Sequence, residues 1–181
     1  MGFVTIKMFD ANIIKNNKIY FDLDINVAED AIFNTKLSKY IKKAFYLNEP
    51  LYYSRFNSSS AVRKFDDGYA DKYLKSVKRE KEYVRVIYNE KKQIELHNFI
   101  AYHLLLVVIN YCFHPENKQK GIKLLKKVCN IPEYKEAVKY SKYKNFSLTR
   151  KITLFTLKYK LYILTSIIAC VRQKQFKNRM E

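Results

Sequence analysis

Apolar residues along this chain recur at two different periods, and the change from one to the other divides it. Ile19, Phe21, Leu23 and Ile25 alternate with Asp22 and Asp24, the period of a half-buried extended segment. From Ala28 the spacing lengthens. Ala28, Ile32, Phe33, Leu37 and Tyr40 recur every three to four residues, which predicts a helix over residues 28–41 with Glu29 and Asp30 in its first turn. Upstream, residues 3–9 read as a short strand or buried segment, and residues 10–17 as a short helix capped by Asp10 and closed by a turn at Asn16-Asn17-Lys18. Downstream, residues 44–47 and 51–56 read as two short strands broken at Asn48-Glu49-Pro50, since proline has no N–H to give to a sheet ladder. Residues 57–60 are a loop, and Asp66-Asp67-Gly68 is a second break.

Beyond Tyr69 the helical period takes over, over residues 69–90, 93–113, 117–129, 133–141 and 147–175, with Pro115 and Pro132 at two of the junctions. The expected fold class is therefore α/β: a corner of short strands and a helix, followed by a mainly α-helical C-terminal tail. The expected division is residues 1–66 and 67–181, with no internal repeat.

Composition narrows the chemistry. With 48% hydrophobic residues over 181 positions the chain can bury a real core. Its three glycines, Gly2, Gly68 and Gly121, form no G-x-G-x-x-G or Walker-type loop to cradle phosphates. Cys112, Cys129 and Cys170 are odd in number and far apart, so neither a disulfide framework nor a zinc site is suggested, and a reducing cytoplasm fits best. The N-terminus has neither a signal-peptide pattern nor the Ser or Thr of a myristoylation motif at Ile6.

The net charge of +18 is unevenly spread, with 17 Lys and Arg against 3 Asp and Glu in residues 118–181 and 18 against 14 before that. Such a field favours anionic partners: phospholipid headgroups, a pyrophosphate-bearing acceptor or, less well, nucleic acid, for which no accompanying motif is present. Lys, Asn, Ile and Tyr are abundant together, as a biased base composition would also produce. Residues 96–115 lack Asp, Glu, Lys and Arg, which raises a membrane span as one reading, and residues 96–113 read better as a buried core helix. For residues 147–175 two readings stay open: a helix lying in a membrane surface, or one packed on its own domain with lysines to solvent.

Glu29 and Asp30 have an ordinary explanation as acids at the positive end of a helix dipole, worth roughly 0.3–1 kcal/mol each. Their surroundings suggest more. Phe21-Asp22-Leu23-Asp24-Ile25, Ala28-Glu29-Asp30-Ala31-Ile32-Phe33-Asn34, Asn48-Glu49-Pro50-Leu51-Tyr52-Tyr53-Ser54-Arg55 and Ser58-Ser59-Ser60-Ala61-Val62-Arg63 follow one another in an order and spacing that resembles the acceptor-side half of family 2 glycosyltransferases, which have the GT-A fold. The resemblance covers residues 4–65 and implies inverting sugar transfer from a nucleotide-sugar to a saccharide or lipid-linked acceptor, in surface polysaccharide synthesis of the bacterial type. By matching position Asp30 would be the general base and Glu29 its neighbour in orienting the acceptor, while Arg55, Tyr53, Asn57 and Arg63 would contact substrate. A guanidinium suits the diphosphate.

The family uses a divalent ion, Mg or Mn, whose ligands lie in an earlier half that has no counterpart in this sequence. Asp22-Leu23-Asp24 has the D-x-D form, but its place eight residues before the acidic pair matches the family's acidic strand and not its metal motif. Asn57 stands where the family often has a His that assists the metal. His97, His103 and His114 read as core or surface histidines. The resemblance thus implies a poor catalyst on its own, a partner for a separate N-terminal half, and a cytoplasmic location with peripheral contact to the inner membrane face. The competing class is a non-catalytic basic helical module on a membrane surface or, less well, nucleic acid.

Overall fold

Every regular element among the described residues is a helix. The computed structural model describes residues 4–53, 65–88, 92–142, 144 and 146–178, of the last three of which only the backbone, and 68% of the chain is helical with no strand among the described residues. The helices are α1 (Ala11–Asn16), α2 (Glu29–Ser38), α3 (Tyr69–Tyr88), α4 (Gln93–Val107), α5 (Gly121–Cys129), α6 (Pro132–Tyr140), α7 (Leu148–Lys158) and α8 (Tyr162–Asn178). A π-helical turn, Val108–Cys112, continues α4, and short 3₁₀ turns occupy Val4–Ile6 and Pro115–Asn117.

This overturns the expected α/β corner and, with it, the GT-A-like fold that the resemblance implies. A strand exists only when a neighbour accepts and supplies its backbone hydrogen bonds, and residues 41–53 find none. That segment runs without regular structure, its Phe45, Tyr46 and Tyr53 side chains exposed, and residues 54–56 lie outside the described part. The alternation of residues 19–25 is broken as well. Ile19 and Ile25 are buried, but Leu23 is 98% exposed, because a turn with Ile25 N–H bonded to the Asp22 carbonyl (3.1 Å) folds the segment back.

The helix signals were sound where local chemistry supports them. Asp10 caps α1, its Oδ1 accepting from the Asn12 N–H at 2.8 Å. The helix then ends in a Schellman turn, with Lys18 at φ 50° and Ile19 N–H returning to the Ile14 carbonyl at 3.0 Å. The same device splits the single helix expected over 147–175. Lys160 sits at φ 55°, Leu161 N–H bonds the Thr156 carbonyl (2.8 Å) and Lys160 N–H the Leu157 carbonyl (3.1 Å), so α7 stops and α8 begins.

The main core is built around α4, against which α3, α6 and α7 pack. Ile100, Ala101, Leu104, Val107 and Val108 are almost fully buried there with Val77, Leu125, Tyr134 and Leu154, each large apolar side chain contributing about 1.5–3 kcal/mol. The stretch Gln93–Cys112 is also long and apolar enough to cross a membrane, the single such helix among the described residues. A smaller cluster of Ile19, Phe33 and Leu37, with Phe9 and Ile14 against it, holds the N-terminal segment together. Helix α2 joins the two regions by lying on α3.

Candidate functional site

The acidic pair stands where the chain enters α2, and the backbone there is held from both sides. Ala28, at φ 56° and ψ 22°, occupies the left-handed region as N-cap without a side-chain cap, a conformation costing a non-glycine residue about 1–2 kcal/mol. On one side the Ser76 hydroxyl of α3 donates to the Val27 carbonyl at 2.6 Å. On the other, Asn34 Nδ2 donates to the Asp30 carbonyl at 2.7 Å. Glu29 and Asp30 are half-buried between these anchors.

Neither carboxylate takes an ion pair or a side-chain hydrogen bond among the described residues, a state shared with other acids of the chain such as Asp71 and Glu133. Three other acids are paired with cations. Asp22 is held by Lys36 and by Arg79 Nη1 (2.8 Å), Asp24 by Lys75 (2.9 Å) and Arg79 Nη2 (3.2 Å), and Asp66 by Lys72 (2.6 Å). The hydrogen bond from Lys75 lowers the Asp24 carboxyl below its usual range, and that from Lys72 does the same for Asp66. With Asp22 and Asp24 engaged by three cations, this D-x-D pair does not fit a divalent ion. Among the described residues no cluster of three or more metal-ligating side chains occurs.

Behind the acidic pair lies a chain of buried polar groups. Asn110 Nδ2 donates to the Tyr69 hydroxyl (2.9 Å), whose ring packs at 4.8 Å on Tyr73, and Tyr73 in turn packs at 5.2 Å on His103. Burial pushes the His103 imidazole down to about 4, against the opposing influence of a hydrogen bond to the Phe99 carbonyl (2.8 Å) and of the Asp30 charge. The ring is therefore neutral near pH 7 and leaves the Asp30 charge uncompensated. Burial raises the Tyr73 phenol, Tyr69 adds to the shift, and Glu29 adds a smaller part.

Tyr73 and His103 were not singled out as neighbours of the acidic pair in the sequence. His103 reads there as a core or surface histidine, and it is a core one, 5% exposed. Nothing local signals the juxtaposition, because α3 and α4 bring these side chains from far down the chain. Of the other candidate substrate contacts, Tyr53 is 86% exposed and makes no hydrogen bond or ring contact among the described residues, while Arg55, Asn57 and Arg63 lie outside them. A shallow cleft of about 260 Å³ opens beside Asp24, lined by Asn26, Asp71, Lys72 and Lys75. Glu29 and Asp30 do not line it. Burial pushes the Cys112 and Cys129 thiols up to about 12, which disfavours the reactive thiolate at both.

No family model, curated protein or solved structure matches this chain.

Proposed function

We propose that this chain takes part in sugar transfer of the family 2 glycosyltransferase type, from a nucleotide-sugar to a saccharide or lipid-linked acceptor, with Asp30 as general base. The observation that carries the reading is the Glu29-Asp30 pair: two adjacent, half-exposed carboxylates that meet no cation among the described residues, on backbone pinned by Ser76 and Asn34. A carboxylate without a partner among the described residues, on a held backbone, would be available for an incoming hydroxyl. The order of the motifs from Phe21 to Arg63 in the sequence points the same way, although the described residues form none of the strands of a GT-A fold.

In the proposed step Asp30 accepts the acceptor's hydroxyl proton while that oxygen bonds to the anomeric carbon, and the nucleoside diphosphate leaves with the electron pair of the broken bond. Glu29 stands beside it to orient the acceptor. The described residues do not supply the groups that bind the nucleotide, so the reading assigns donor binding, and any Mg or Mn ion with it, to a separate donor-binding half.

The test incubates the chain, alone and with the polypeptide encoded immediately upstream, with labelled nucleotide-sugars and saccharide or lipid-linked acceptors. Transfer is expected with the two together and a loss of about 10²–10⁴ in rate with Asp30→Asn. Undiminished transfer by Asp30→Asn would remove the base assignment. Absence of transfer in every combination would remove the reading as a whole.

A further inference from the structure

Helices α7 and α8 are amphipathic in the wrong sense for water. On α7, Leu148, Ile152, Phe155 and Tyr159 fall four, three and four residues apart on one stripe, and all are exposed, from 46% at Ile152 to 74% at Leu148. On α8 the exposed stripe is Ile163, Leu164, Ile167 and Val171. The inward positions are filled largely by small and hydroxylated residues: Thr153 and Thr156 beside Leu154 and Leu157 on α7, Thr165 and Ala169 on α8.

Those inward threonines are satisfied. Thr165 donates to the Thr156 hydroxyl at 2.9 Å, Thr156 to the Thr153 carbonyl at 2.8 Å and Thr153 to the Thr149 carbonyl at 2.9 Å. Of these bonds, that between Thr165 and Thr156 joins the two helices at their inward faces, and the other two lie within α7.

Charge accompanies the stripes. Residues 137–180 hold 11 Lys and Arg and no Asp or Glu. Lys151, Lys158, Lys160, Arg172 and Lys174 surround the exposed faces, and among the described residues none of the five meets a carboxylate. An apolar stripe flanked by unpaired cations has a partner of one chemistry: a surface with anionic groups outside and hydrocarbon beneath. A second copy would bring like charge against like charge with no acid on this face to relieve it. Nucleic acid would meet the cations but leave the leucines and isoleucines in water.

We propose that α7 and α8 form a docking face for an anionic phospholipid bilayer, lying in its interface with both apolar stripes inserted and the lysines at headgroup level. The inference stands apart from the proposed sugar transfer, since it needs no donor, acceptor or partner half.

The test is cosedimentation of the full chain with vesicles of phosphatidylcholine alone or mixed with phosphatidylglycerol, across salt concentration. Partitioning at least about tenfold stronger to the anionic vesicles, weakening with salt, is expected. A variant with Ile152→Ser, Phe155→Ser, Ile163→Ser and Ile167→Ser keeps the charge and changes only exposed positions, and circular dichroism checks its fold. It should lose about tenfold or more of that binding. Binding by the serine variant equal to that of the native chain would reduce the contact to plain electrostatics and overturn the proposal, as would no binding to anionic vesicles. Concentration-dependent dimerisation abolished by the same serines, with no vesicle binding, would assign the face to a second copy instead.

Discussion

The hydroxyl of Thr35 on α2 donates to Oε1 of Glu80 on α3 at 2.5 Å, both side chains buried, while Oε2 of the same carboxyl has no partner among the described residues. Burial pushes the Glu80 carboxyl from its ordinary 4.5 up to about 7, and the Thr35 hydrogen bond opposes that shift without cancelling it. The folded chain therefore keeps a proton that the unfolded chain has already released between those two pH values. Stability is greatest below the unfolded value and falls as pH rises through about 7, by on the order of 3 kcal/mol in all. Glu80→Gln removes the ionisation and can still accept from Thr35. It should unfold at higher denaturant than the native chain near pH 8 and show no advantage near pH 4.5. Parallel pH profiles of the two proteins in urea titrations check this.

A second link between the same helices runs through Asp22. Its carboxylate, 8% exposed, receives Lys36 from α2 and Arg79 from α3, with the Tyr83 hydroxyl at 3.5 Å. Removing the negative charge leaves two cations facing each other with little water to screen them. Breaking a buried pair in this way costs about 3–5 kcal/mol, and partial exposure of Arg79 lowers the expectation for Asp22→Asn to about 2 kcal/mol. Asp24, half-exposed though it touches Lys75 and Arg79, should lose far less on the same change. Equal losses at the two positions in chemical denaturation would contradict this ordering.

How much of this could be read from the residues depends on where the determining partner sits. Asp10 and its capped helix, α2 under its three-to-four-residue spacing, and the junctions at Pro115 and Pro132 are local, and sequence and structure agree on them. The strands failed because alternation states only that a segment could lie in a sheet. Residues 19–25 carry that alternation and residues 44–47 and 51–56 read as short strands, and among the described residues no ladder partner meets them. The break between α7 and α8 was hidden because Lys160, not glycine, occupies its left-handed position. The acidic pair was visible as text, but the Tyr73 and His103 side chains behind it come from helices whose packing no single stretch of sequence specifies.

Gly121 shows a spatial constraint of that kind. It opens α5 against the π-helical turn, and a Cβ placed there would lie 2.7 Å from Phe113 Cδ1 and 2.9 Å from the Cys112 carbonyl oxygen. The ring is buried and the carbonyl is backbone, so neither yields freely. Gly121→Ala should cost about 1–3 kcal/mol through overpacking, despite alanine's better helix propensity. A thermal melt that rises with this substitution would show that the contact relaxes.

Tyr134 on α6 offers the opposite case, a group whose removal should help. Its side chain is fully buried in the main core, and its hydroxyl has no hydrogen-bond partner among the described residues. The phenol proton is held more tightly than usual, chiefly by burial, as expected of a polar group that has lost water and gained nothing in return. Phenylalanine fills the same ring volume without the stranded oxygen. Tyr134→Phe should therefore stabilise the chain by about 1 kcal/mol, raising the urea midpoint with an unchanged slope. A lowered midpoint would mean that the hydroxyl holds a partner in solution, and Tyr134 would then belong with the satisfied polar groups of the core.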